Sequence, residues 1–191
     1  MSRHPFALAC SLVLGLFFSH AASAQDKAER LSPPRVGDVA PDFTLPDSDD
    51  AEISLEKLRN DGPVVLVVLR GYPGYQCPLC RKQVANLIAS KKAFAEKGAT
   101  VVLVYPGSMD LLTKKAKEFM GNTELPKHFR LLIDRDFALI QQYGLRWDAP
   151  GETAYPATFV IGRDGTIAMA VVSDSHGGRA ETKKVIDAIP E

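Results

Sequence analysis

The run PVVLVVLR, residues 63–70, constrains this chain more than any other stretch. Its aliphatic and mostly β-branched residues show no alternation with polar ones, so a strand built from it has to be covered on both faces. A sheet with helices packed on each side provides that cover. TVVLVYP, residues 100–106, has the same character and predicts a second buried strand. Between the two runs, Val84, Leu87, Ile88, Phe94 and Ala95 fall mostly on one helical face, with Lys91, Lys92 and Lys97 among them. This predicts one long helix that starts at the cysteines of PGYQCPLCRKQ and is capped at Gly98.

The remaining segments alternate in the same way. DFTLP and AEISL read as short extended pieces on either side of an acidic, solvated turn from Asp47 to Asp50, and SLEKLRN reads as a first helix with Ser54 as N-cap. MDLLTKKAKEFMGN is an amphipathic helix whose lysines form a solvated face. FRLLIDRDFALIQQYGL predicts a strand and then a short helix capped near Asp134 or Asp136. ATFVIGRDGTIAMAVVSD predicts a hairpin through Asp164-Gly165, and GGRAETKKVIDAI a closing helix. The expected class is α/β, with a mixed central β-sheet flanked by helices.

The N-terminus is read apart from that domain. A polar head, Ser2-Arg3-His4, precedes the apolar run FALACSLVLGLFF, and Ala22-Ser23-Ala24 supplies small residues for cleavage before Gln25. That is the layout of a secretory signal peptide. The run of about 13 residues is short of the roughly 20 that a helix needs to cross a hydrocarbon core. The expected organisation is a signal peptide at 1–24, a polar linker at 25–35 that carries Pro33-Pro34, and one domain from 36 to 191. A periplasmic or secreted protein without stable membrane insertion follows from this reading. Charge is balanced, 23 basic against 23 acidic residues, so nothing in the composition points to nucleic acid as a partner.

Cleavage after Ala24 would remove Cys10 and leave Cys77 and Cys80 as the only cysteines of the chain. A disulfide between them would close a very short loop and restrain little of the unfolded chain, which argues against a structural staple. A zinc site needs three or four ligands, and only His128 and His176 would remain as histidines. No metal and no cofactor are therefore expected. A redox-active pair fits the residues better. At i and i+3 on a helix the two thiols are neighbours, within the Cα separation of about 5.5 Å that a disulfide prefers. Cys77 would stand at the helix N-terminus, where free backbone N–H groups favour a thiolate, and Pro78 suits the first helical position. Arg70, Arg81 and Lys82 add positive charge nearby in sequence.

The phrases VGDVAPDFTLPD, ISLEKLRNDGPVVLVVLRG, LLIDRDFALIQQYGL and YPATFVIGRDGTI, in this order and spacing around the cysteines, resemble the peroxiredoxin-like AhpC/TSA branch of the thioredoxin superfamily. The resemblance spans essentially the whole chain from Val36 and implies a thioredoxin fold with a short N-terminal β extension. It implies an oxidoreductase acting on a hydroperoxide or a protein disulfide, reset by an external dithiol such as a thioredoxin-like protein. Two registers overlap on the same residues. In the peroxiredoxin pattern Pro-x-x-x-Thr-x-x-Cys, Pro73 and Cys80 match, Cys77 replaces the threonine, and Cys80 is the attacking residue. In the Cys-x-x-Cys reductases the first cysteine, here Cys77, attacks. The arginine that peroxiredoxins place before the strand matching TFVIG is absent, and Pro156 stands there, matching the cis-proline of the reductases. The resemblance thus implies catalytic roles for Cys77 and Cys80 and substrate contacts for Pro73, Arg70 and Pro156. Tyr72, Tyr75 and Trp147 read as packing aromatics, and His176 as an ordinary loop residue ahead of a role as proton carrier or copper ligand, the cysteine spacing being one residue short of the copper-delivery relatives.

Overall fold

The computed structural model describes Met1 and residues 31–108 and 110–191, so the predicted signal peptide, Cys10 and most of the predicted linker lie outside the described residues. Strands β1 (Thr44–Pro46) and β2 (Glu52–Ser54) form a small antiparallel ribbon, followed by α1 (Leu55–Asp61). Then come β3 (Val64–Val68), α2 (Pro78–Ala89), α3 (Lys91–Glu96), β4 (Thr100–Pro106) and α4 (Leu112–Met120). The chain continues through β5 (Phe129–Asp134), α5 (Ala138–Gln142), β6 (Ala157–Ile161), β7 (Ile167–Val172) and α6 (Thr182–Asp187). The main sheet has the order β5-β4-β3-β6-β7, parallel across β5, β4 and β3 and antiparallel across β3, β6 and β7. This is the mixed sheet of the thioredoxin-like fold, with β3 at its centre.

The absence of alternation in β3 has its explanation in the two cores. Val65 and Val67 face one, with residues of α2, α3, α4 and α6, while Val64, Leu66 and Val68 face the other, with α1, α5 and the N-terminal segment. Every residue of β3 is fully buried. Side chains of this kind contribute roughly 1.5–3 kcal/mol each relative to exposure, which is why a polar residue has no place in the run.

Local signals explain most element boundaries. Ser54 Oγ accepts the Lys57 N–H at 3.3 Å, the predicted cap of α1. The β6–β7 connection closes through Gly162 to Gly165, as the Asp164-Gly165 pair predicts. The acidic turn is exposed, and it also carries ion pairs, Asp49 with Lys117 at 3.1 Å and Asp50 with Arg135 at 2.9 Å. The start of α5 takes its cap from Asp134, one of the two residues expected, although that residue lies before the helix boundary. The helix's N-cap position is held by Phe137 in the left-handed region, and the fully buried Asp134 reaches forward to accept the N–H groups of Leu139 and Ile140 at 3.4 and 3.1 Å.

One predicted element is corrected. The single helix from the cysteines to Gly98 is two helices, because Ser90 leaves helical backbone geometry with ψ at 13°. Serine competes for local backbone partners and so tolerates such a break. The predicted end is right: Gly98, at φ +61°, donates to Ala95, and Ala99 donates to Phe94, the paired bonds of a left-handed glycine cap. At the other boundary, the described part of the predicted linker already packs on the domain. A Cβ placed on Gly144 would lie 2.0 Å from the Leu31 carbonyl oxygen.

Candidate active site

The end of β3, the loop after it and the first turn of α2 set the two thiols in place. Gly71 turns the chain at φ +74° with its backbone against β4, where a Cβ would lie 1.9 Å from the Pro106 carbonyl oxygen. Only glycine fits there. Gly71→Ala is expected to cost about 3 kcal/mol, read as a lower denaturant midpoint at unchanged slope. A loss under about 1 kcal/mol would show that the loop does not depend on this approach.

Cys77 is the N-cap of α2, and its Sγ accepts the Cys80 backbone N–H at 3.3 Å. Pro78 occupies the first helical position, as predicted. Cys80 Sγ accepts the Arg70 backbone N–H at 3.4 Å. Both thiols are reduced and nearly enclosed, at 4% and 1% exposure. The guanidinium of Arg179 bridges them from the loop before α6, with Nη2 at 3.3 Å from Cys80 Sγ and 3.8 Å from Cys77 Sγ.

These contacts separate the two sulfurs electrically. Donation from the Cys80 thiol lowers the Cys77 pKa to about 5 against the opposition of burial, helped by the Cys80 N–H, the charge of Arg179 and the Leu79 N–H. The same bond pushes Cys80 upward, since it donates to Cys77, is buried and faces the Cys77 charge. Both directions favour the thiolate on Cys77 and the proton on Cys80.

The other residues singled out in the sequence fall around this pair in unequal ways. Arg70 is the largest fully buried side chain, and its guanidinium turns away from the sulfurs. Its Nε pairs with Glu152 at 2.8 Å, its Nη2 donates to the Gly151 carbonyl at 2.7 Å, and Nη1 meets the Tyr75 hydroxyl. Its contribution to the site is made by its peptide N–H. Arg81 leans over the Phe119 ring and donates to the Glu118 carbonyl, and Lys82 is exposed. Pro73 is half-buried in the loop before Cys77. Pro156 is buried one residue before β6, just beyond the Val68–Ala157 pair, so the sheet carries it to the end of β3 from which Arg70 reaches Cys80. The Tyr155–Pro156 bond is trans, where the reductase pattern implies cis. Tyr72 packs on the core around the cysteines and Trp147 stacks on Tyr155.

Sequence reasoning missed Arg179 and Glu152. Glu152 accepts from Arg70 and lies 2.9 Å from His176 Nε2, so one carboxylate ties the end of β3 to the loop that carries Arg179. Burial would raise the Glu152 pKa, but bonds to Arg70 and His176 bring it below the usual carboxylate value. Among the described residues no group of three or more His, Cys, Asp or Glu side chains could hold a metal ion. A cavity of about 690 Å³ is lined by Asp47, Lys117, Phe129 and neighbours and shares no residue with the thiol site.

A thioredoxin-like fold that presents two free, buried cysteines in the first turn of a helix defines a thiol oxidoreductase. Residues 36–170 match the AhpC/TSA family, and the chain belongs to it. It is 30% identical over 159 residues to peroxiredoxin Q of Sedum lineare chloroplasts, covering 80% of each chain. With peroxiredoxin Bcp of Escherichia coli it shares 28% over 142 residues, 72% of this chain and 85% of that one. The crystal structure of peroxidoxin BcpB from Mycobacterium tuberculosis superposes with a TM-score of 0.63 at 27% identity, covering 81% of this chain and 95% of that chain.

Proposed function

We propose that the chain is a thiol peroxidase that reduces hydroperoxides through Cys77 and Cys80. The carrying observation is the place of Cys77 Sγ at the N-cap of α2, where it accepts the Cys80 N–H at 3.3 Å and lies 3.8 Å from Arg179 Nη2, contacts that favour its thiolate. Cys77 S⁻ attacks the terminal oxygen of R–O–OH, the O–O bond breaks, and Cys77 becomes a sulfenic acid while RO⁻ leaves. The proton on Cys80 goes to RO⁻. Cys80 S⁻ then attacks the sulfenic sulfur and expels hydroxide, which leaves the disulfide and one molecule of alcohol. An external thiol reductant returns two electrons to the pair, a thioredoxin-like protein being the expected donor. The near-enclosure of both sulfurs supports small substrates.

A second reading draws on the same charge assignment. A charged first cysteine in Cys-x-x-Cys is the arrangement of reductases that act on protein disulfides. The two are separated by supplying reduced protein with hydrogen peroxide, an organic hydroperoxide and insulin. Peroxide-driven loss of both thiols within minutes, with insulin left intact, is expected. Thiols that neither peroxide oxidises but that are converted to the disulfide as insulin is reduced would replace the peroxidase by the reductase.

Export belongs to the proposal as well. Residues 1–24 are read as a cleaved leader, with the mature protein starting at Gln25 in the periplasm or outside the cell. Mass spectrometry of the protein from its native host, reporting an N-terminus at Met1, would remove that part.

A further inference from the structure

We propose that Glu152 is a positioning residue of the thiol pair, whose carboxylate holds from one point the two groups that donate to Cys80 Sγ, the Arg70 peptide N–H and the Arg179 guanidinium. Neither donor belongs to α2. One comes from the end of β3 and the other from the loop before α6, at 3.4 and 3.3 Å. Glu152 divides its oxygens between these two parts of the chain. Oε2 accepts from Arg70 Nε at 2.8 Å, and Oε1 lies 2.9 Å from His176 Nε2. The carboxylate is 12% exposed, so little water competes for either bond.

The first arm acts through a side chain with nowhere else to settle. Arg70 is fully buried, and its head is completed by the Gly151 carbonyl and the Tyr75 hydroxyl. Glu152 and Gly151 together anchor that head from one loop, which fixes the Arg70 backbone with its N–H on Cys80. Without the carboxylate a buried cation loses its counter-charge, a change that forces the residue to shift.

The second arm acts through a turn stiff enough to transmit a displacement. Ser173 Oγ accepts the N–H groups of Ser175 and Gly178 at 3.2 and 3.1 Å and donates to the Ser175 carbonyl at 2.6 Å. These bonds close residues 173–178 into one unit. His176 ties that unit to Glu152 and to the Trp147 ring, with ring centroids 5.0 Å apart. Arg179 follows directly. Its Nη2 reaches both sulfurs, while Nε and Nη1 are buried with no hydrogen-bond partner among the described residues. The place of the turn therefore decides the place of the cation.

This role rests on the proposed reading of Cys77 as the reactive thiolate, and not on the identity of the oxidant. The measurement is the pH midpoint of Cys77 alkylation by iodoacetamide in the reduced protein. Its direction separates the cases. Removing the Glu152 charge while everything stays in place lowers the midpoint, because one anion fewer opposes the thiolate. Releasing the turn, and Arg179 with it, raises the midpoint. Glu152→Gln is expected to raise it by about half a pH unit, and His176→Ala, at a residue 47% exposed, by a similar amount. In an Arg179→Leu background neither change should raise it further, since the arm then ends on no cation. The Arg70 arm is read by exchange of the Arg70 amide proton with solvent, which should quicken at least about tenfold in Glu152→Gln and stay unchanged in His176→Ala. A lower or unmoved midpoint in either single variant, a rise that persists without Arg179, or an Arg70 amide indifferent to Glu152→Gln overturns the assignment. Should Glu152→Gln not fold, the midpoint of His176→Ala with and without Arg179 decides it. A wild-type protein without an acidic midpoint would instead remove the thiolate reading, and the Arg70 amide would still decide whether Glu152 positions the donors.

Discussion

Replacing Cys77 with serine is expected to abolish peroxide consumption, by more than about a thousandfold, whereas Cys80→Ser leaves the first oxidation in place and stops the cycle after one turnover. The asymmetry follows from where the single negative charge sits. Cys77 Sγ accepts the Cys80 backbone N–H, and the neighbouring Cys80 thiol lowers the Cys77 pKa while its own is raised. A serine at position 80 keeps both the N–H and a hydroxyl donor, so the Cys77 thiolate survives. Its sulfenic acid then has no resolving thiol and should be captured quantitatively by dimedone, detected by mass. The Pro73-anchored peroxiredoxin register makes the opposite forecast. Sulfenic acid trapped on Cys80 in a Cys77→Ser protein would show that the register, and not the charge, identifies the nucleophile.

Arg179→Leu should move the pH dependence of thiol reaction rather than scale it uniformly. In the wild type the Cys77 pKa of about 5 makes alkylation by iodoacetamide nearly flat above pH 7 and steeply lower as pH falls through 5. The sign is that of a depressed acid: the reactive thiolate is present above the pKa and is lost below it. Removing a cation 3.8 Å from Cys77 Sγ and 3.3 Å from Cys80 Sγ raises that midpoint, by about one pH unit. The rate near pH 5 then drops several-fold while the rate at pH 8 changes little. Arg179→Lys keeps the charge and should recover much of the shift. A profile that falls in parallel at every pH would mean that Arg179 only supports the loop.

Much of the scaffold is legible from local patterns because its causes are local. β3 reads as buried on both faces since each residue contacts one of two cores, and Ser54 and Asp164-Gly165 act within a few residues of themselves. The break at Ser90 escapes such reading, because the apolar spacing from Val84 to Phe94 continues across it. The site divides in the same way. Cys77, Pro78 and Cys80 form one helical turn and are visible as a motif. Arg179 reaches the sulfurs from a glycine-rich loop about a hundred residues downstream, where no periodicity marks it. Arg70 shows how proximity in sequence misleads: its charge is consumed by Glu152 and Tyr75, and its peptide N–H is what meets Cys80. Only the pairing of β3 with β6 brings Pro156 near, and contacts of His176 with Glu152 and Trp147 join the two loops.

The placement of both cysteines in a single helical turn also sets a race between two fates of the oxidised enzyme. Disulfide closure is first-order, with a rate fixed by the chain itself, because the second sulfur is at a permanent local concentration and no helix has to unwind to bring it close. Further oxidation of the sulfenic acid to a sulfinic acid grows instead with the peroxide supplied. The crossover between them defines an oxidant ceiling, and fast closure lifts it. A chain built this way suits sustained turnover under heavy peroxide load, and is poorly suited to serve as a one-shot sensor.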